Sequence, residues 1–332
     1  MRSQLVRPFL ARVRAAGGDA PGLLARLGLP GDAVSAAEVV LPLGAMVAFG
    51  DAAAVAAGDP FLGVHVAETL DRGTYGVVEF ACRSAPTTRE ALRRIARYMA
   101  LLNEIVFVTF DEASGVVEQK VPGWPLCVGR QANEFFVAML LHQARQLSGR
   151  PCIPEQVWLA HPLPADTAEL RRAYGTARLE GGAGRNALAL SAAELDAPLV
   201  SSDPQLLSIL DRHAAGELAT RGGPNRFLGQ VRQLVQEALV ASGAPAMADT
   251  ARTLRMSPRT FQRRLADEGT SWQALVDGVR EATARARVLD PSVPLGEIAY
   301  QCGYAELSAF LRAFKRWTGK SPTEMRASGG HA

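Results

Sequence analysis

The chain has 332 residues, 48% of them hydrophobic and 21% charged, and at roughly 100–200 residues per domain that length excludes a single small module and suggests two or three domains. Lys and Arg total 36 against 33 Asp and Glu, a net charge of +3, which is too even to imply a nucleic-acid, membrane or acidic-substrate partner from the total alone. The total conceals a division: residues 1–225 hold 21 basic and 23 acidic side chains, a net of −2, whereas residues 226–332 hold 15 and 10, a net of +5.

The N-terminal stretch MRSQLVRPFLARVRAAGGD interrupts its apolar residues with four arginines, so it forms no continuous signal-peptide core and export is not expected. The Ala/Val-rich segment 39–58 is broken by Pro42, Gly44, Gly50 and Asp51, which favours a buried globular segment over a membrane span. Cys82, Cys127, Cys152 and Cys302 are scattered without a C-x-x-C pair, as expected of reduced thiols in a cytoplasmic protein.

From Tyr75 the patterns become mixed. GVVEFACRS (76–84) reads as a strand, TTREALRRIARYMALL (87–102) as a helix, and EIVFVTFD (104–111) and GVVEQKVP (115–122) as two strands turning at Ala113, Ser114 and Gly115. A helix is expected at 131–147, a strand at 156–160, a helix at 167–174 and two short strands around the glycine-rich loop 181–184. The alternation predicts an α/β domain, a mixed sheet with packed helices, over residues 1–220. A helix at 204–218 leads into RGGPN (221–225), whose Pro and Gly mark a linker.

Beyond the linker every pattern is helical, predicting an all-α domain over 226–328. In 227–241, Leu228, Val231, Leu234, Val235, Ala238 and Leu239 repeat at the spacing of one buried face. In SPRTFQRRL (257–265), Ser257 is a good N-cap and Pro258 suits the first helical position. Phe261 and Leu265 can bury together, while Arg259, Gln262 and Arg263 project from another side. Arg can donate two hydrogen bonds to guanine, and Gln can pair with adenine, in a major groove. MADTARTLRM (247–256) supplies a preceding short helix with Ala251 and Leu254 inward, giving a helix-turn-helix shape in which Arg255 stands where the turn often holds Gly.

The arrangement repeats about 46 residues on. Leu307, Phe310, Phe314 and Trp317 mark a buried stripe, Ser308 and Arg312 lie opposite, Lys315 and Arg316 are candidate phosphate partners, and Gly303 and Tyr304 form the turn. Between the units, Thr270 and Gln273 offer a capping box for one long helix ending before Pro291. Such a spacer would let two helices occupy successive major-groove turns about 34 Å apart.

Residues from about 226 to 326 resemble the C-terminal DNA-binding domain of AraC/XylS-type bacterial transcription regulators, through SPRTFQRRL, GEIAYQCGY (296–304) and ELSAFLRAFKRWTGKSPTEMR (306–326), with Met325 in place of the usual aromatic residue. The resemblance implies that Arg259, Gln262 and Arg263, with Thr260 beside them, belong to the first recognition helix, and Ser308 and Arg312 to the second. The implied partners are double-stranded promoter DNA and RNA polymerase. GDPFLG (58–63), YGVVEFACRSAPTTREAL (75–92) and Arg97-Tyr98 resemble the arabinose-binding-like effector domain of the branch that includes ornithine-utilisation and mycobacterial virulence regulators. That likeness implies a small-molecule effector and an oligomerising role, with a homodimer as one form.

No G-x-S-x-G, H-E-x-x-H or Walker A motif occurs, and His65, His142, His161, His213 and His331 stand apart in sequence. Gly181-Gly182-Ala183-Gly184 lacks the dinucleotide fingerprint. No catalysis, cofactor, metal or membrane partner is therefore expected. The leading expectation is an activator sensing a small molecule. The alternatives are a ligand-independent regulator whose first domain dimerises or binds protein, and an enzyme fused to a DNA-binding domain.

Overall fold

The computed structural model describes residues 2–36, 38–122, 124, 126–220, 224–242, 245–288 and 293–329. They form two compact units, 1–120 with 126–222, and 223–332 with 121–125.

In the first unit β1 (Arg2–Ser3) precedes α1 (Val6–Ala15), which buries Val6, Phe9, Leu10 and Val13 at helical spacing. Asp19 caps α2 (Ala20–Arg26), its Oδ1 accepting from the Gly22 amide at 2.9 Å. β2 (Val39–Val40) pairs antiparallel with β1. α3 (Leu43–Ala57) ends on left-handed Gly58 and turns by 87° into α4 (Leu62–Glu68). No single helix among the described residues is long and apolar enough to cross a membrane. Gly63 permits the approach of α4 to its neighbour, because a Cβ there would lie 1.9 Å from the Gln131 carbonyl oxygen.

The segment expected as a strand at 76–84 is instead α5 (Gly76–Arg83). A short apolar run is ambiguous between strand and helix, and local polar contacts decide it. The Glu79 carboxylate accepts from the Gly73 and Tyr75 amides at 3.0 and 3.2 Å, satisfying donors at the helix start, and from Arg83 Nε at 2.8 Å one turn on. Val78, Ala81 and Cys82 then share a buried face.

The other expected elements occur where the pattern placed them. They are α6 (Thr88–Leu102), capped by Thr87; β3 (Phe107–Asp111); β4 (Val116–Lys120); α7 (Arg130–Ser148); β5 (Gln156–Leu159); α8 (Ala168–Tyr174); β6 (Leu179–Gly181); and β7 (Asn186–Ala189). The sheet order is β3-β4-β7-β5-β6, antiparallel except for β5 with β6. β7 is buried along its whole length, as a central strand covered on both faces should be. α9 (Ala192–Leu195) and α10 (Pro204–Thr220) complete the unit. All four cysteines are buried, and burial pushes the Cys152 thiol up to about 11 and those of Cys82 and Cys302 up to about 12.

The second unit is all helical. Of the linker expected at 221–225, residues 221–223 lie outside the described ones, and Pro224 and Asn225 open α11 (Pro224–Ser242). Then come α12 (Met247–Thr253), α13 (Pro258–Asp267), α14 (Trp272–Val288), α15 (Leu295–Gln301), α16 (Leu307–Thr318) and α17 (Pro322–Gly329). The end expected for α14, before Pro291, falls at residues 289–292, outside the described ones. Its N-cap is Ser271, whose Oγ accepts from the Ala274 amide at 3.2 Å, rather than Thr270. Thr270 still belongs to the end of the preceding helix, its amide bonding the Leu265 carbonyl at 3.0 Å.

Candidate nucleic-acid interface and apolar cavity

Two hydrophobic clusters build two helix-turn-helix units on one spacer. Leu275, Val276 and Val279 of α14 join Val231, Val235, Ala251, Phe261 and Leu265 in the first cluster. Ala284 and Val288, farther along the same helix, join Ile298, Ala299, Phe310 and Phe314 in the second. Seventeen residues of α14 span about 25 Å at 1.5 Å each, so one helix fixes the spacing of both units.

The turns are built alike. In the first, the Arg255 amide bonds the Arg252 carbonyl at 2.9 Å and the Met256 amide bonds the Ala251 carbonyl at 2.9 Å; in the second, Gly303 bonds Tyr300 at 2.8 Å and Tyr304 bonds Ala299 at 2.9 Å. Arg255 has φ 55° and Gly303 φ 73°. Arg255 thus takes the left-handed conformation that glycine takes in the second turn without a Cβ penalty.

In α13, Ser257 Oγ accepts from the Thr260 amide at 3.1 Å, which fixes the helix start. Phe261 is fully buried, with Phe227 and Trp272 rings 5.5 and 5.9 Å away, edge-on. The helix phase then turns Arg259, Thr260, Gln262 and Arg263 outward, and all four are exposed. Thr260 Oγ1 lies 2.9 Å from Ser257 Oγ, so its hydroxyl is tied to the cap. Arg259, Gln262 and Arg263 make no side-chain hydrogen bond or ion pair among the described residues. Arg264, a residue the sequence reading passed over, stacks 4.5 Å over the Phe227 ring. Its position three residues after Phe261 was the available signal, since i+3 lies beside the buried face.

In α16, Phe310 and Phe314 are fully buried against Tyr304 and Trp317, but Leu307, expected in that stripe, is 42% exposed. It is the first helical residue, and helix side chains lean toward the N-terminus, so it leans past the layer it was expected to join; Ala313 is buried instead. Ser308, Arg312, Lys315 and Arg316 are exposed. Ser308 Oγ donates to Glu306 at 3.3 Å, and Arg316 lies 5.9 Å from the Trp317 ring centre. The outward face of α16 is therefore less cationic near its start than that of α13.

Two arginines missed by the sequence reading hold this frame. Arg326 of α17 donates to the carbonyls of Val288, at 2.9 Å, and Val293, and Arg280 lies 5.0 Å from the Tyr304 ring centre. Both bind across the turn of chain they stabilise, which sequence spacing does not reveal.

In the first unit, α5, α6 and α7 line a partly open cavity of about 150 Å³ whose walls include Val78, Ile95, Met99, Phe135 and Leu140. Elsewhere in that unit, His65 bridges α4 and α8, with Nδ1 2.7 Å from Asp59 and Nε2 2.9 Å from Glu169. Burial alone would lower the His65 pKa, but hydrogen bonds and charges of the two carboxylates outweigh it, so it is raised. His161 lies 3.2 Å from the fully buried Glu134, which also meets Arg130 at 2.9 Å.

Residues 17–199 match the family described as the arabinose-binding domain of AraC transcription regulator, N-term, and residues 250–328 match a helix-turn-helix domain. The chain is similar to the ornithine utilization regulator of Pseudomonas aeruginosa, 28% identical over 274 residues, covering 81% of this chain and 79% of that protein. It is similar to the HTH-type transcriptional regulator VirS of Mycobacterium tuberculosis, 27% identical over 332 residues, covering 96% and 94%. Among solved structures, the transcriptional regulator CdpR from Pseudomonas aeruginosa aligns at 24% identity over 95% of this chain and 97% of that one, with a TM-score of 0.38.

Proposed function

The chain belongs to the AraC family of transcription regulators, and from that premise we propose that it reads promoter DNA with Arg259, Thr260, Gln262 and Arg263 of α13 and Ser308 and Arg312 of α16, while Lys315 and Arg316 hold phosphates. It is a DNA-binding transcription regulator with an N-terminal ligand-binding domain. The observation that carries the site assignment is the repeat: each of two helices turns arginine outward directly opposite a buried Phe pair or Phe-Leu pair, and one spacer helix supports both. Free guanidinium groups on such a face suit bidentate contacts with guanine. Residues 226–328 would make those contacts, and residues 1–220 would form the sensing domain.

The sensing domain acts on DNA binding by favouring one state of the chain, because a ligand shifts an equilibrium only through unequal affinity for its states. The cavity in the first unit supports this over ligand-independent regulation. Activation through RNA polymerase, action as a homodimer, residence in the cytoplasm and the absence of catalysis follow the family resemblance.

Selection from a random duplex pool by the full chain, at one fixed salt concentration, tests the reading. Enrichment of a two-part site whose halves lie about one helical turn apart is expected. Binding that enriches no motif overturns it.

A further inference from the structure

We infer that the cavity of the first unit takes an uncharged, largely apolar molecule of about six to ten non-hydrogen atoms, with one hydroxyl or N–H group donating to Gln4. The inference rests on the sensing role proposed above and specifies its ligand class. Three observations carry it. The first is volume: about 150 Å³ is the scale at which an apolar protein cavity admits benzene, roughly six non-hydrogen atoms.

The second is charge. Among the described lining residues none is Lys, Arg or His, and the one carboxylate is that of Glu79. It is already engaged, with Arg83 Nε at 2.8 Å and the Gly73 and Tyr75 amides at 3.0 and 3.2 Å. An anion would find no cation in the wall, and a cation would compete with Arg83 for an occupied carboxylate. A charged guest would lose its hydration without replacement. Burial pushes the thiol of Cys82, another wall residue, up to about 12, as a wall that disfavours charge should.

The third is an orphaned acceptor. Gln4 lines the cavity, and its Oε1 is buried with no hydrogen-bond partner among the described residues. A buried acceptor without a donor is costly, and a ligand O–H or N–H would remove that cost. Gln119 and Asn103, also in the wall, already accept from Asn186 Nδ2 at 2.9 Å and from the Ile105 amide at 3.1 Å, whereas the buried Gln4 oxygen is open to a ligand.

Calorimetric titration of the full chain with four molecules of similar size tests this: benzyl alcohol, toluene, benzoate and benzylammonium. Benzyl alcohol is expected to bind at least about tenfold more tightly than either ion. Gln4→Leu should weaken it about fivefold, the worth of one hydrogen bond, without weakening toluene. Ala132→Leu, which narrows the cavity, should abolish binding of both.

Tighter binding of benzoate or benzylammonium, abolished by Ala132→Leu, overturns the neutral class and leaves sensing intact. Saturable binding of none of the four overturns the cavity as a ligand site. The sensing reading is separated by DNA affinity. If benzyl alcohol binds as described and leaves the affinity for the selected duplex unchanged, the ligand class stands and the sensing role fails.

Discussion

Arg255 is an ordinary exposed arginine in composition, yet its φ of 55° places it where an L side chain costs about 1–2 kcal/mol. The sequence made this position visible, because the second unit has Gly303 at the matching point with the same pair of hydrogen bonds. Arg255→Gly should therefore stabilise the all-helical C-terminal unit by about 0.5–1 kcal/mol, the relief of strain being partly offset by the greater freedom of glycine in the unfolded chain. Urea unfolding checks it, and a loss of stability would show that the Arg255 side chain contributes more than its backbone costs. Other roles at this scale were illegible. Nothing in the spacing of Arg326 announces that it bonds the carbonyls of Val288 and Val293, because those partners are 38 and 33 residues away in the chain.

Between elements, α4 and α8 are joined by His65, whose two ring nitrogens meet Asp59 and Glu169. Its pKa is raised above 6.5 in the folded chain, so its stabilising contribution is fully present below the unfolded value and fades as pH rises through the folded one. His65→Gln should lower the urea midpoint clearly near pH 5.5 and progressively less toward pH 9; an equal loss at both ends would mean that the ion pair adds nothing to packing. Helices with strong caps or long periodic patterns, such as α6, α7 and α13, were legible in the sequence because their signals are local. The α5 segment was not, since two valines in a short apolar run suit either structure and the deciding contacts come from Glu79 reaching back to the Gly73 and Tyr75 amides. Leu307 was misplaced for a related reason: helical periodicity gives a direction for each side chain but not where the neighbouring layer stops.

Across the whole chain, the net of +3 is the sum of −2 before residue 226 and +5 after it. The small excess fits recognition by a few placed arginines on α13 and α16 more than by bulk attraction to phosphate. The outward positions of Arg259, Thr260, Gln262, Arg263, Ser308 and Arg312 were readable because each shares a helix with the buried stripe that orients it. The cavity was not, because its wall draws on positions from Ser3 to Leu199, which only the tertiary fold brings together. On the proposed reading, α13 and α16 contact separate base pairs. The most direct measurement of this is a scan of every base pair in the selected duplex, at one salt concentration, with the native chain and with Arg263→Ala, Arg312→Ala and Lys315→Ala. Arg263→Ala and Arg312→Ala should each lose about 1–3 kcal/mol of binding and relax preference at one position, the two positions lying about 10 base pairs apart, whereas Lys315→Ala weakens all sequences evenly. Base preferences left unchanged by both arginine substitutions would contradict it.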